Sequence, residues 1–306
     1  MKQTMKKTII IGAGFGGIAA AIRLKKKGYD VEIVDRCNNL GGRAQFFNIN
    51  GFKYDAGPTI ITAPFLLEEL FSLHNRKLKD YVTLKPLDVW YRFVYDDGTY
   101  FDYEKSLDST IANIKKINNI DAKNYKELLE ASKRIYDLAF NKLADKPFHN
   151  ITFMLKQIPA LLKFRADESV YKFTSRYLKS EKLRRAFSIQ PLLVGGNPFE
   201  TTCIYSLIHY LERAHGVYFS MGGTGKLVKA LGKLMEEIGI KIVPFQFMVY
   251  TPNDNSYKPL VSVIINSHNG KNYLKNSIES VLNQSYQNFE IIFFDNNSND
   301  NSIEDI

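Results

Sequence analysis

The sequence has 306 residues, 45% of them hydrophobic and 24% charged, with 18 Tyr, 21 Phe and two Cys. This composition excludes a mainly disordered or collagen-like chain, and Cys37 and Cys203 are too few and too far apart for a disulfide scaffold or a metal cluster, which fits a reducing compartment. The formal net charge of +9 is uneven, because residues 1–245 carry +13 and the last 61 residues −4, and 12 of the 24 Asn fall in that final stretch.

Met1–Ile22 imitates a secretory signal, with Lys2, Lys6 and Lys7 ahead of an apolar run. Gly12, Gly14, Gly16 and Gly17 interrupt that run and no cleavage region follows, so export is not expected. Nowhere does an uncharged apolar run reach the roughly 18 residues needed to span a bilayer.

The same residues follow a strand–turn–helix pattern. Thr8–Ile11 is a buried strand, Gly12-Ala13-Gly14-Phe15-Gly16-Gly17 opens a helix through Lys26, and Gly28 ends it. Val31–Val34 then delivers Asp35 to the end of a second strand, 23 residues after Gly12. This is a βαβ unit with the dinucleotide fingerprint. Gly12 permits the tight turn, Gly14 admits a pyrophosphate to the backbone and Gly17 lets helix and strand pack closely. The helix N-terminus offers free N–H groups and positive dipole to phosphate, and Asp35 can accept hydrogen bonds from ribose hydroxyls.

Directly after Asp35 comes Arg36-Cys37-Asn38-Asn39-Leu40-Gly41-Gly42-Arg43-Ala44, a second glycine turn with arginine, which a nicotinamide site does not need. Here the chain resembles the FAD-dependent amine oxidase and desaturase superfamily, in which such a turn helps hold the FAD pyrophosphate. Guanidinium forks and exposed backbone amides suit a diphosphate. Asp35 stands where FAD members more often have glutamate, which shortens the reach to the ribose by one methylene.

Five further blocks narrow the resemblance to bacterial phytoene desaturases: Gly51-Phe52-Lys53-Tyr54-Asp55-Ala56-Gly57-Pro58-Thr59 onward to Phe65, Leu192–Phe199, His209–Arg213, Gly216–Phe219 and Gly222–Leu227. The resemblance runs from about Thr8 to Val243. It implies a flavoenzyme that removes hydrogen from a long polyene precursor, with FAD regenerated by a quinone or oxygen. It also puts the Asp55, Gly57, Pro58 and Thr59 turn close to the flavin, although Asp55 reads equally well as a turn-stabilising aspartate. His209 and Glu212, one helical turn apart, read as a half-buried packing face beside Tyr205 and Tyr210 rather than as catalytic groups. No side chain is assigned a catalytic role, since the cofactor supplies the chemistry and the protein supplies position and a dry channel.

Phe153–Ala186 holds nine Lys or Arg against three acids, interleaved with aromatic and aliphatic residues. The apolar residues of Phe153–Arg165 occupy most of a helix surface, and Pro159 is expected to kink or interrupt it. Two readings stand: a monotopic contact with an anionic membrane surface on the inner face of the cell membrane, through which a hydrocarbon enters, and a buried helix–turn–helix with solvated lysines. Nucleic-acid binding is not expected, because no recognised motif or stacking platform accompanies the charge.

Residues 246–257 have a linker composition. The stretch 258–306 starts afresh with the strand Leu260–Ile265, a helix through Leu282 and the strand Phe289–Phe294, ending at Asp295. It resembles the opening of family 2 glycosyltransferases, in which the acid at the Asp295 position contacts the nucleotide of the sugar donor. The predicted fold class is therefore α/β. A Rossmann-like FAD-binding lobe with an inserted, mostly helical region occupies residues 1–245, and a partial βαβ segment of glycosyltransferase type occupies 258–306. No metal site is expected. Three readings of function follow: a carotenoid desaturase, a glycosyltransferase fragment, and a non-catalytic remnant of the two joined.

Overall fold

A computed structural model describes residues 6–37, 39–55, 57–146, 151–244, 261–267, 271–284 and 287–295. Chain contacts divide it into two compact units, the first made of Met1–Thr59, Phe65–Leu84 and Ser220–Ile306, the second of Ile60–Pro64 and Lys85–Phe219.

The opening pattern folds as its periodicity dictates. β1 (Lys7–Ile11) leads to α1 (Phe15–Lys26), whose buried Gly17, Ile18, Ala21 and Ile22 form a narrow face of small and branched residues. β2 (Asp30–Asp35) follows. A short turn of helix at Gly42–Ala44 precedes the hairpin β3 (Phe46–Ile49) and β4 (Phe52–Asp55). Its two-residue loop, Asn50-Gly51, has φ of 52° and 83°, the left-handed pair that a tight hairpin requires.

β5 (Ile60–Ile61) opens the second unit, and α2 (Pro64–Ser72) starts on a proline, whose missing N–H costs nothing at a first helical position. After β6 (Leu84–Pro86) come β7 (Val89–Val94) and β8 (Tyr100–Glu104), an antiparallel pair. Ser106 caps α3 (Leu107–Ile117) by accepting from the Ser109 N–H, and Asn118 caps α4 (Asn119–Ala139) by accepting from Ile120 and Asp121. The helices α5 (Ile151–Phe164), α6 (Val170–Ser175), α7 (Glu181–Ala186) and α8 (Leu207–His215) complete the insertion, Gly216 ending α8 at φ 81°. This unit's core gathers Trp90, Phe101, Tyr125, Leu128 and Phe187.

The chain returns through β9 (Tyr218–Ser220), whose Phe219 and Tyr218 pair with Ile60 and Ile61. α9 (Thr224–Glu237) and β10 (Lys241–Pro244) follow, and beyond 245–260, which lie outside the described residues, come β11 (Val261–Ser267), α10 (Lys271–Leu282) and β12 (Phe289–Asp295). Five strands form one sheet in the order β10-β2-β1-β11-β12, every pair parallel. The α/β class, the Rossmann-like sheet and the mostly helical insertion agree with the sequence reading. The expected linker, 246–257, lies wholly within 245–260 and so outside the described residues, and the strands beyond it belong by contact to the first unit.

Two expectations for the insertion narrow to one alternative each. α5 is a single helix that carries Pro159 within it, so the proline does not divide the segment. Nor is α5 a buried helix: Met154, Leu155, Ile158, Leu161 and Leu162 are exposed, Leu162 to 70%.

Candidate functional site

Three turns of the first unit meet at the carboxyl edge of the parallel sheet. Gly12 leaves β1 at φ 103°, and its N–H donates to the Val34 carbonyl at 2.7 Å, which ties the turn to β2. Gly17 packs so closely that a Cβ there would lie 1.9 Å from the Gly12 carbonyl oxygen. Gly14 stands at the start of α1 with no side-chain cap, and no acid occupies the first turn. The first N–H groups of α1 thus keep their capacity for an external acceptor, at the positive end of the helix dipole. Gly16, in that first turn, is exposed.

The second turn lies against the first. The Gly41 N–H donates to the Ala13 carbonyl at 2.7 Å, Gly14 and Gly41 form a parallel bridge, and a Cβ on Gly42 would come within 3.0 Å of the Gly14 Cα. Backbone comes close to backbone here because Gly42 has no side chain, whereas a Cβ on Gly14 would come no closer than 3.9 Å to Gly42. Gly41 and Gly42 have φ of 112° and 55°, and Arg43 emerges from them exposed, with no ion pair to a described residue. Arg36 is exposed at the start of the same loop.

Asp35 is engaged on both oxygens. Oδ2 accepts from the Ala13 N–H at 2.7 Å and Oδ1 from the Cys37 N–H at 2.8 Å. A carboxylate has about four acceptor positions, so two remain for ribose hydroxyls while the bonds present fix its orientation.

The third turn is placed by a helix the sequence reading did not tie to it. Asp55 accepts from the N–H groups of Thr224 at 3.2 Å and Gly225 at 3.4 Å, so its carboxylate caps α9. The Thr224 hydroxyl donates to the Pro58 carbonyl. Gly57 sits where a Cβ would strike the Arg43 carbonyl oxygen at 2.1 Å. Gly57, Pro58 and Thr59 are thereby held beside Gly41–Ala44, with all three exposed. These bonds tie Asp55 to the start of α9 rather than to its own turn. The signal for it was Gly222-Gly223-Thr224-Gly225 ahead of an amphipathic run, a helix start lacking a capping side chain of its own.

Asp295 ends β12 and so reaches the same edge of the parallel sheet. The turn that follows it lies outside the described residues.

The second unit holds a buried polar cluster. His209 and Glu212 are 2% and 0% exposed, so the helix face read as half-buried is fully enclosed. The Tyr91 hydroxyl donates to Glu212 Oε1 at 2.6 Å, and the Tyr103 hydroxyl lies 3.3 Å from His209 Nδ1. The Arg213 guanidinium covers the rings of Trp90 and Tyr103, 4.4 and 4.8 Å from their centroids. Burial pushes Glu212 up to about 7, against the opposing pull of Tyr91 and Arg213, and burial with the Arg213 charge pushes His209 down to about 3. Sequence gave no sign of this enclosure, since Tyr91 and Glu212 are far apart in the chain.

Among the described residues no group of His, Cys, Asp or Glu could hold a metal ion, and no helix is long and apolar enough to cross a membrane.

A family profile described as flavin containing amine oxidoreductase matches residues 15–242, and one described as glycosyl transferase family 2 matches residues 262–306. A phytoene desaturase (lycopene-forming) of Pantoea ananas is 44% identical over 239 residues, covering 78% of this chain and 49% of that protein. The phytoene desaturase (lycopene-forming) of Paracoccus sp. (strain N81106 / MBIC 01143) is 42% identical over 234 residues, 76% of this chain and 47% of that one. The chain thus spans about half the length of these relatives. Among solved structures, cyclohexylamine oxidase from Brevibacterium oxydans IH-35A is similar with a TM-score of 0.51 at 17% identity, covering 94% of this chain and 60% of that one. A putrescine oxidase bound to putrescine has a TM-score of 0.51 at 15% identity over 78% of this chain and 51% of that one. Both likenesses concern the fold.

Proposed function

We propose, from the premise that this chain belongs to the flavin-containing amine oxidoreductase family, that it holds FAD along the carboxyl edge of its parallel sheet and provides the flavin-side part of a carotenoid desaturase acting on a long polyisoprenoid. The observation that carries this reading is the backbone-on-backbone meeting of Gly14 with Gly41 and Gly42, beside an uncapped helix start and an exposed Arg43 that has no ion pair among the described residues. A diphosphate needs close backbone approach, N–H donors and positive charge together.

Each group has a task in this reading. The first-turn N–H groups of α1 receive the pyrophosphate, and Arg43, with Arg36 nearby, offsets its charge. Asp35, oriented by Ala13 and Cys37, accepts from the ribose hydroxyls. Asp55 acts through α9: by capping that helix it fixes the Gly57-Pro58-Thr59 turn against the Arg43 backbone, where an isoalloxazine edge could lie. FAD, when bound, supplies the two-electron acceptor for hydrogen removal, and a quinone or oxygen regenerates it. A polyene of the phytoene type is the substrate, as the names of the relatives suggest.

α5 supports a peripheral, monotopic attachment to the inner face of the cell membrane. Its exposed residues 154, 155, 158, 161 and 162 follow helical spacing, so one apolar stripe faces outward, with exposed Lys156 and Lys163 on the opposite side of the helix. A stripe of this kind enters the interfacial region while its cations meet lipid phosphate. The test is expression in a phytoene-producing bacterium together with the flavin content of the purified protein. Yellow protein and a change in the host's carotenes support the reading; colourless protein that takes up no added FAD overturns it.

A further inference from the structure

The stretch that matches the glycosyl transferase description supplies β11, α10 and β12 to the sheet that carries the glycine cradle. We infer that in this chain it works as the second half of the dinucleotide-type sheet, covering the open edge of β1 and so holding the Gly12–Gly14 turn in place. This is a structural task that neither family description assigns to it.

The pairing is specific in register. Ile9, Ile10 and Ile11 of β1 lie opposite Val263, Ile264 and Ile265 of β11, and β11 pairs with β12 from Val261–Phe289 to Ser267–Asp295. The core follows the pairing across the junction between the two sequence types. Val263, Ile265, Leu274 and Val281 are buried, and Ile11 from β1 packs with them. Without β11, β1 would be an edge strand of a parallel sheet, with the N–H and C=O groups on one side of Ile9–Ile11 unpaired. Parallel sheets rarely leave such an apolar edge bare, since it recruits other chains.

Topology gives the arrangement its consequence. α1 connects β1 to β2 on one side, whereas α10 connects β11 to β12 on the other, so the strand order reverses between β1 and β11. Ligand crevices of open parallel sheets form at such a reversal, beyond the carboxyl ends of the strands. Gly12 leaves β1 at that point. Two opening βαβ units of different type therefore make one switch point, and the hydrogen bonds of β11 steady the strand from which the turn departs.

Amide hydrogen exchange on the full chain, with no flavin added, tests the inference. The expected result is joint protection of amides 9–11 and 263–265, slowed at least about 100-fold relative to an unfolded chain. In Ile264→Pro, which lacks one ladder donor, protection at 9–11 should fall at least about tenfold while the buried amides of α4 stay unchanged. Exchange of 261–295 at unfolded rates in the wild-type chain overturns the inference, as does unchanged protection of 9–11 in the variant. Should Ile264→Pro fail to fold, the pair Ile10→Cys and Ile264→Cys gives an independent readout, since neighbouring strands lie within disulfide reach. A 10–264 crosslink within single chains is expected under mild oxidation. Its absence, or crosslinks only between chains, contradicts the inference. Neither readout involves FAD, so a negative result leaves the flavin reading where it stands.

Discussion

Gly17 and Gly28 are both glycines of the first βαβ unit, yet they answer to different constraints. At Gly17 a Cβ would sit 1.9 Å from the Gly12 carbonyl oxygen, whereas Gly28 has φ 86° and nothing within 4 Å. Gly17→Ala must push the helix off the strand, a cost of about 1–3 kcal/mol with distortion of the turn. Gly28→Ala meets only left-handed backbone strain, about 1–2 kcal/mol, and leaves the turn intact. Thermal or urea unfolding of both variants, with FAD binding measured alongside, should find binding lost in the first and kept in the second. The strand–turn–helix pattern made both glycines visible in the sequence, but not the difference in what each one avoids. Nor did it reveal that Asp35 is already bonded to Ala13 and Cys37, because a side-chain orientation has no sequence period.

Elements set the behaviour of the insertion. In its buried cluster, Glu212 is raised from 4.5 to about 7 and His209 lowered from 6.5 to about 3. The raised carboxyl contributes stability that is complete below pH 4.5 and lost as pH rises through about 7. The lowered imidazole contributes stability that is complete above pH 6.5 and lost as pH falls towards about 3. The two slopes oppose each other between pH 4.5 and 6.5 and leave a net loss in stronger acid. Chemical unfolding across pH should therefore find Glu212→Gln losing stability more steeply from pH 6.5 to 4.5 than the wild-type chain. An unchanged slope would mean that burial does not raise Glu212 above its ordinary range. α5 carries a second prediction at this scale: Leu155→Glu with Leu162→Glu alters side chains 55% and 70% exposed, so folding should persist. Co-sedimentation with anionic vesicles in low salt should fall at least about tenfold, given the transfer energy of two leucines. The apolar character of α5 was legible, whereas its exposure was not, because an apolar helix has the same composition against protein or lipid.

Across the whole molecule, the sequence separated what the fold joins. Charge, asparagine content and motif all change near residue 245, and those contrasts are real, yet Val263–Ile265 pairs with the first strand of the chain. A short apolar β-run reads the same whether it founds a sheet or completes one, since its partner is set by contacts remote in sequence. The βαβ unit at the start was legible for the opposite reason: its turn, helix and acid all lie within one local segment. The chain's capacity to bind FAD rests on that segment and on the turns gathered around it. The most direct test is titration of the purified 306-residue chain with FAD, followed by quenching of flavin fluorescence, beside Gly14→Val. Gly14 has ordinary extended backbone, with φ −72° and ψ 175°, and a Cβ there would come no closer than 3.9 Å to Gly42, so the variant should fold. Its added methyl groups would fill the space between the two glycine turns. Saturable quenching in the wild-type chain, weakened at least about 100-fold in a folded Gly14→Val, is the predicted result, a loss of about 3 kcal/mol. Absence of quenching in the wild-type chain, or equal affinity in the variant, would contradict the account.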